Sequence, residues 1–297
     1  MLGSSLQRIE EVMVKSNDAK VNIAEFVLKE RKELHKYTIA RIAEETYTSK
    51  ATVVRFAKAL GYEGWKDFMV DFEKELQYEE KHRKDIDANY PFSGNDGIQQ
   101  IVQNILQLQM ESLQDTADNF DYVQLKKAAD LLVNARRIVI YGFSPHVYCG
   151  QLFCRKMMTI GKDADCCRPG ETGLMTRNLT KDDCAIIISY AGNNKNVDPM
   201  QRIPLLKRQG VPLIGITSGG DNYIRRTADI VFSMSTKERL YSKIANYSTE
   251  ESVNFILNVL FSCCFARNYN KNLQFKVHNA EALEKERYTE IQNIKEK

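Results

Sequence analysis

The stretch Thr38-Ile-Ala-Arg-Ile-Ala-Glu-Glu-Thr-Tyr-Thr-Ser-Lys-Ala-Thr-Val-Val-Arg-Phe-Ala-Lys-Ala-Leu-Gly61 reads as two short helices joined by a tight polar turn at residues 45–48. Ser49 offers a side-chain oxygen to the unpaired N–H groups that open the second helix, and Gly61 suits the backbone that closes it. Along that second helix Val53, Phe56, Ala57 and Leu60 share one face, so Ala51, Arg55 and Lys58 project from the other. The outward face is small, basic and free of carboxylates.

Such a face has the chemistry that duplex DNA requires. Small residues at the helix N-terminus admit base edges, hydroxyls and backbone N–H groups hold phosphates, and a guanidinium can chelate guanine. The candidate contacts are Thr38, Ser49, Lys50, Ala51, Thr52, Arg55 and Lys58. Between residues 36 and 66, Lys36, Arg41, Lys50, Arg55, Lys58 and Lys66 outnumber Glu44, Glu45 and Glu63 by three, which equals the formal net charge of the whole chain, +3. A helical bundle with a merely solvated basic face is the alternative; the turn spacing and the carboxylate-free second helix favour DNA. Tyr62, Trp65 and Phe68 are expected to close the bundle beneath that helix as core residues.

Working outward, residues 1–76 carry apolar side chains at helical spacing (Leu6, Ile9, Met13; Ile23, Phe26, Val27; Ile39, Ile42, Ala43) and no proline. Residues 78–97 turn to charge and turn-formers and hold the first proline, Pro91. Two amphipathic helices follow (98–109 and 123–133), and then short β-runs at 137–141, 164–167, 184–188, 213–217 and 230–234 alternate with helical stretches such as 147–160 and 199–209. Alternation of this kind predicts a parallel, doubly wound sheet with both faces covered. The expected layout is a helix-turn-helix domain over 1–77, a linker over 78–97, an α/β domain over 98–279 and a charged tail over 280–297, a solvated or frayed helix.

Composition sets limits on the rest. At 297 residues, 43% hydrophobic and 27% charged, the chain is ordinary globular protein and longer than one domain needs. No apolar run approaches the ~18 residues of a membrane span, and acidic residues stand near the start where a signal peptide would be apolar, so a soluble, cytoplasmic protein is expected. The cysteines (Cys149, Cys154, Cys166, Cys167, Cys184, Cys263, Cys264) are odd in number and form no C-x-x-C pair, which argues for a reducing compartment and against a metal site or disulfide framework. No cofactor is indicated. The cysteines are expected to act as small buried hydrophobes.

Two loops carry the remaining polar signal. Tyr141-Gly-Phe-Ser-Pro-His146 follows the first β-run and places Ser144 ahead of a helix N-terminus, with Pro145 removing one backbone donor there. Ile188-Ser-Tyr-Ala-Gly-Asn-Asn-Lys-Asn196 follows the third. Loops at the C-terminal ends of adjacent strands are where an open α/β sheet binds ligands. Ser218, with Gly219 and Gly220 after the fourth run, could line the same rim or form an ordinary turn.

At this point the chain resembles the RpiR family of bacterial transcriptional regulators, in which a helix-turn-helix precedes a sugar isomerase (SIS) domain. The likeness is carried by Ser49 through Phe68: a serine, two variable residues, Thr-Val-Val-Arg-Phe, a helical spacer, then Leu-Gly-Tyr-Glu-Gly-Trp. It implies a three-layer α/β SIS domain with a five-stranded parallel sheet of flavodoxin-like order and helices on both faces. It also implies operator DNA as a partner, a phosphosugar effector, and a homodimer or homotetramer formed through the SIS domain.

The two loops are similar to the phosphate-binding signatures of SIS domains, which implies effector contacts from Ser144, Ser189, Tyr190, Gly192, Asn193, Asn194 and Lys195. The second loop departs from that pattern. Ala191 replaces a serine, Asn194 a threonine and Asn196 an acidic residue. Each lost hydroxyl removes about 1.5–3 kcal/mol of phosphate binding, which Lys195 could partly restore.

The alternatives are a DNA-binding dimer with a purely structural SIS domain and a sugar-phosphate isomerase. The latter would need a base, with Glu171, Glu250, Glu251 and His146 as candidates. The missing acid at 196 and the attached DNA-binding unit count against an enzyme. The apolar stretch 253–261 could pair two copies or lie in the core.

Overall fold

The structure, a computed structural model, describes residues 19–31, 33–82, 86–235 and 237–283, with Ser5, Arg8, Ile9, Val12 and Met13. Leu6 and the tail from 284 to 297 lie outside the described residues. The helical unit comprises α1 (Ala19–Lys29), a 3-10 turn (Leu34–Lys36), α2 (Ile39–Glu45), α3 (Lys50–Ala59) and α4 (Trp65–His82). Thr38 caps α2 by accepting the Arg41 N–H, and Ser49 caps α3 by accepting the Thr52 N–H, so each helix begins where an oxygen-bearing side chain satisfies an orphan donor.

The apolar faces of these helices meet around Ile23, Val27, Ile42, Val53, Phe56 and Phe72, all fully buried. Phe68 sits at the centre, with ring centroids of Trp65 at 5.0 Å, Phe72 at 5.1 Å and Tyr62 at 5.5 Å. The aromatic cluster is therefore core, as expected. α4 runs on to His82, because residues 78–82 contain no helix breaker; the turn-formers begin later.

The α/β part opens with α5 (Ile98–Asp118) and α6 (Tyr122–Asn134). It continues as β1 (Arg137–Gly142), α7 (His146–Met158), β2 (Asp163–Cys166), α8 (Thr172–Arg177), β3 (Cys184–Ser189), a 3-10 turn (Met200–Arg202), α9 (Ile203–Arg208), β4 (Leu213–Thr217), α10 (Tyr223–Thr227) and β5 (Ile230–Ser233). α11 (Tyr247–Arg267) and α12 (Tyr269–Leu283) close the described chain. The five strands form one parallel sheet in the order β2-β1-β3-β4-β5.

The register sets one row of side chains across the sheet, Cys166, Ile140, Ile186, Ile214 and Ile230, and this row packs into the core shared with α6, α7 and α11. The residues between them, Val139, Ala185 and Leu213, face the opposite layer with Ile203, Leu206 and Ile224 from α9 and α10. Strands buried on both faces read as continuous apolar runs, which is why β1, β3 and β4 stood out in the sequence.

Within the stretch 253–261 the inward residues are core, while Phe255, Asn258, Val259 and Phe261 stay partly exposed. Val253, Ile256, Leu257 and Leu260 are each 2% exposed or less, and α11 packs against α5, α6 and α7 of its own chain. A helix apolar on most sides is covered within its own fold, and α11 is the spine of that core. Its polar N-terminal half is matched to α5 by a buried hydroxyl seam: Ser112 Oγ donates to Ser248 Oγ at 2.6 Å, and Thr116 and Ser252 hydroxyls lie 2.7 Å apart.

Candidate functional site

The structure leaves most of the helix-turn-helix candidates exposed. Ser49, Lys50, Ala51, Arg55 and Lys58 are exposed along α3, Thr52 is half-buried, and Thr38 is exposed at the start of α2. Thr52 Oγ1 lies 2.9 Å from Ser49 Oγ and accepts from Arg55 Nη2 at 3.2 Å, so the guanidinium is steered along the helix. Arg41 is spoken for by Glu44 at 2.9 Å and Glu45 at 2.5 Å. Among the described residues no carboxylate pairs with Lys50, Arg55 or Lys58, which leaves the charge surplus of this unit on α3.

The second loop follows β3 and folds onto the end of β4. Ser189 Oγ accepts the Gly192 N–H at 3.3 Å, the Tyr190 carbonyl accepts the Ser218 N–H at 3.1 Å, and the Gly192 carbonyl accepts the Ile224 N–H at 3.2 Å. Gly192 has φ 60°, and a Cβ there would come within 2.7 Å of Thr217 Oγ1 and 2.9 Å of Asn222 Oδ1. Glycine is required at this position for both reasons. Asn193, Asn194 and Lys195 are exposed at the loop tip, Ser189 and Tyr190 are half-buried, and Ser144 is exposed in the first loop.

A cavity of about 750 Å³ opens at the C-terminal ends of β1 and β2. Its lining includes Ser144, Tyr148, Arg155, Arg168, Thr172 and Asp198. Of the sequence-predicted effector residues only Ser144 lines it; Ser189 through Lys195 lie beyond β1 on the β3 side. Asp198 receives Nε of Arg202 at 2.6 Å and the Thr172 hydroxyl at 2.7 Å. Burial raises its pKa, but the hydrogen bonds from Arg202 and Thr172 outweigh that and hold the carboxyl below its ordinary range. Sequence reasoning missed Arg155, Arg168, Thr172, Asp198 and Arg202, because no local motif separates them from surface residues.

Behind the second loop Tyr190 donates its hydroxyl to the Glu238 carbonyl, and Lys243 Nζ lies 5.7 Å from the Tyr190 ring centroid. The buried Glu238 carboxylate accepts the Ser248 N–H at 2.5 Å, the Thr249 hydroxyl at 2.5 Å and a Lys243 ion pair at 3.8 Å, and so caps the N-terminus of α11. His146 is half-buried, and among the described residues its Nδ1 has no hydrogen-bond partner. Burial, aided by the Lys243 charge, lowers its pKa to about 4, so the imidazole is neutral near pH 7.

The isomerase candidates lie outside this cavity. Glu171 is exposed beside Arg168 at 3.7 Å, Glu251 accepts from Gln109 at 3.4 Å, and none of Glu171, Glu250, Glu251 or His146 lines the cavity. Ser218 is buried, its carbonyl taken by Nε of Arg225 at 3.0 Å, which makes it a turn residue.

Six of the cysteines are buried and all seven are free; the Cys154 and Cys166 sulfurs lie 3.7 Å apart. Burial pushes the Cys149 thiol up to about 11 and those of Cys167, Cys184 and Cys264 to about 12, so thiolate is scarce at neutral pH.

Residues 3–79 match the family model of the rpiR-family helix-turn-helix domain, and residues 131–261 match that of the SIS domain. Similar proteins include an uncharacterized HTH-type transcriptional regulator of Clostridium perfringens, 23% identical over 279 residues that span 94% of this chain and 98% of that protein. Another, from Caldanaerobacter subterraneus, is 23% identical over 93% of this chain and 95% of the relative. Among solved structures, the Vibrio vulnificus NanR protein complexed with ManNAc-6P superimposes with a TM-score of 0.58 at 20% identity, covering 94% of this chain and 98% of NanR. The sugar isomerase domain of an RpiR transcription factor from Sphaerobacter thermophilus gives 0.53 at 16% identity over 62% of this chain and 99% of that domain. The chain thus carries an rpiR-family helix-turn-helix domain over residues 3–79 followed by a SIS domain over residues 131–261, the make-up of an RpiR-type HTH regulator.

Proposed function

We propose that this regulator binds operator DNA through the outward face of α3 and that a phosphorylated sugar, held at the C-terminal ends of β1, β2 and β3, changes that binding. The observation that carries the DNA half is the unpaired basic face Lys50, Arg55 and Lys58 behind a serine-capped helix N-terminus. Ser49, Lys50, Ala51 and Thr52 lie at the groove-entering end, Arg55 and Lys58 farther along, and Thr38 at the flanking helix. NanR, in complex with a sugar phosphate, supports the effector half.

Ser144 belongs to both the predicted phosphate loops and the cavity, which makes it the hinge between phosphate and sugar contacts. Asn193, Asn194 and Lys195 at the exposed loop tip can close over a ligand, with Ser189, Tyr190 and Gly192 shaping the loop beneath. Regulation follows by linkage: an effector that prefers one arrangement of paired subunits alters the spacing of their α3 helices and so the affinity for a two-fold operator.

The same geometry supports a sensor, working in the cytoplasm, over an isomerase. Asp198 is fixed in an ion pair, and the glutamates that could move a proton stand away from the cavity. A structural SIS domain is the second reading, favoured by Ser189 spending its hydroxyl oxygen on Gly192.

The deciding experiment measures binding of duplexes selected by the wild-type protein, with and without a panel of sugar phosphates. Arg55→Ala should weaken DNA binding by about 1–3 kcal/mol. An affinity that no sugar phosphate alters, together with no ligand-dependent rise in Tm, would overturn the sensor in favour of the structural domain.

A further inference from the structure

The two helices of the helix-turn-helix end in the same backbone motif with different residues at its critical position. After α3, Gly61 at φ 90° donates its N–H to the Lys58 carbonyl at 3.0 Å, and Tyr62 donates to Ala57 at 3.1 Å. After α2, Tyr47 donates to Glu44 at 3.2 Å and Thr48 to Ala43 at 2.8 Å, the same pair of bonds around the same left-handed residue. Here that residue is Tyr47, at φ 53°, the one non-glycine residue with positive φ among the described residues. A Cβ in this region crowds the neighbouring carbonyl, so helix ends of this type favour glycine.

Among the described residues nothing compensates for the tyrosine: its side chain is 95% exposed. The turn instead fixes its position: Thr46 donates its hydroxyl to the Ile42 carbonyl at 2.7 Å and lies 2.9 Å from the Thr48 hydroxyl. A disfavoured conformation persists only where its surroundings over-determine it, and this turn is hydrogen-bonded on both sides of Tyr47.

The residue stands two positions ahead of the Ser49 cap, at the end of α3 that meets the groove. A side chain at this edge faces the sugar-phosphate strand flanking the groove. A phenol is a neutral donor with an apolar ring, suited to a phosphate oxygen and the adjoining deoxyribose. Its surroundings favour an anion: Thr48, Ser49 and Lys50 follow it, and the preceding Glu44 and Glu45 are held by Arg41.

We propose that Tyr47 is a further DNA-contacting residue, a backbone clamp whose hydroxyl donates to a phosphate beside the base-reading helix. The proposal rests on the DNA-binding reading above.

The test uses the full-length protein and duplexes that the wild type selects from a random library. Tyr47→Gly removes the strain and the contact together, so its melting temperature should equal or exceed the wild-type value while its affinity for the selected duplex falls about tenfold, as for one hydrogen bond to a charged group. Tyr47→Phe keeps the ring and should lose most of the same affinity. Because the phenol is neutral, the slope of log K against log salt should be unchanged in both. Wild-type binding of Tyr47→Gly, or full retention by Tyr47→Phe, would overturn the clamp. Failure of the wild type to select any duplex would instead overturn the DNA-binding reading itself.

Discussion

Replacing Gly192 by alanine tests how tightly the β3 loop is seated on β4. The new methyl would meet Thr217 Oγ1 at 2.7 Å and Asn222 Oδ1 at 2.9 Å. Neither partner can retreat: Thr217 is fully buried and donates to the Tyr190 carbonyl at 3.2 Å, while Asn222 is 1% exposed, with Oδ1 accepting the Arg225 N–H at 3.0 Å as the cap of α10. Overpacking of this kind costs about 1–3 kcal/mol, and a non-glycine residue at φ 60° adds roughly 1–2 kcal/mol, or about 2–5 kcal/mol together. With a urea dependence of about 2 kcal/mol per molar, the unfolding midpoint of the α/β part should fall by roughly 1–2.5 M.

Far-UV circular dichroism follows both parts, whereas the fluorescence of Trp65, the single tryptophan, follows the helical unit. The loss should appear in the first signal and leave the second in place. A midpoint within about 0.2 M of wild type, or a shift confined to Trp65 fluorescence, would refute the argument that Gly192 is a packing requirement.

Three further changes should have readable effects. His146 has its pKa lowered to about 4, against about 6.5 when unfolded, so its contribution to stability is full above pH 6.5 and is lost as pH falls from 6.5 toward 4, at up to about 1.4 kcal/mol per pH unit. His146→Gln should flatten the pH dependence of urea stability across that window, and an unaltered profile would show that the imidazole is not held neutral by the fold. Ser252→Ala would strip the acceptor from the buried Ser235 N–H at 2.7 Å and the partner from Thr116, costing about 1–3 kcal/mol by chemical denaturation; a cost below about 0.5 kcal/mol would mean the seam between α5 and α11 is not an energetic unit. Val253→Asp, if 253–261 is core, should abolish folding rather than yield a folded monomer, as gel filtration with circular dichroism would show.

Much of this molecule was legible from local pattern. Val53, Phe56, Ala57 and Leu60 recur at helical spacing and are buried together; Ser49 and Gly61 mark the limits of α3 because capping and left-handed closure are decided by neighbours in the chain. The five β-runs fell within a residue or two of the strands, most plainly for β1, β3 and β4, since a strand covered on both faces is apolar throughout. The candidate site was legible only where it is built from one loop. Ser144 reaches the cavity, but Arg155, Arg168, Thr172 and Asp198 come from four places in the chain, each unremarkable alone.

Only the tertiary structure could decide the rest, because it concerns which surfaces are covered and which polar groups are already paired. The apolar stretch 253–261 has the same composition as an interface or a core; Val253, Ile256, Leu257 and Leu260 are core because α5, α6 and α7 close over that side of α11. Ser189 carries the same hydroxyl whether it faces a ligand or a backbone N–H, and the folding of its loop onto Thr217 and Asn222 turns it toward Gly192. Tyr47 is an ordinary tyrosine in the sequence; hydrogen bonds local to the end of α2 hold it in the left-handed region, and only the packed fold shows that its ring is left exposed. Periodicity and capping are properties of neighbours along the chain and survive in the one-dimensional record, whereas burial and hydrogen-bond pairing depend on contacts between distant segments and arise only with the assembled fold.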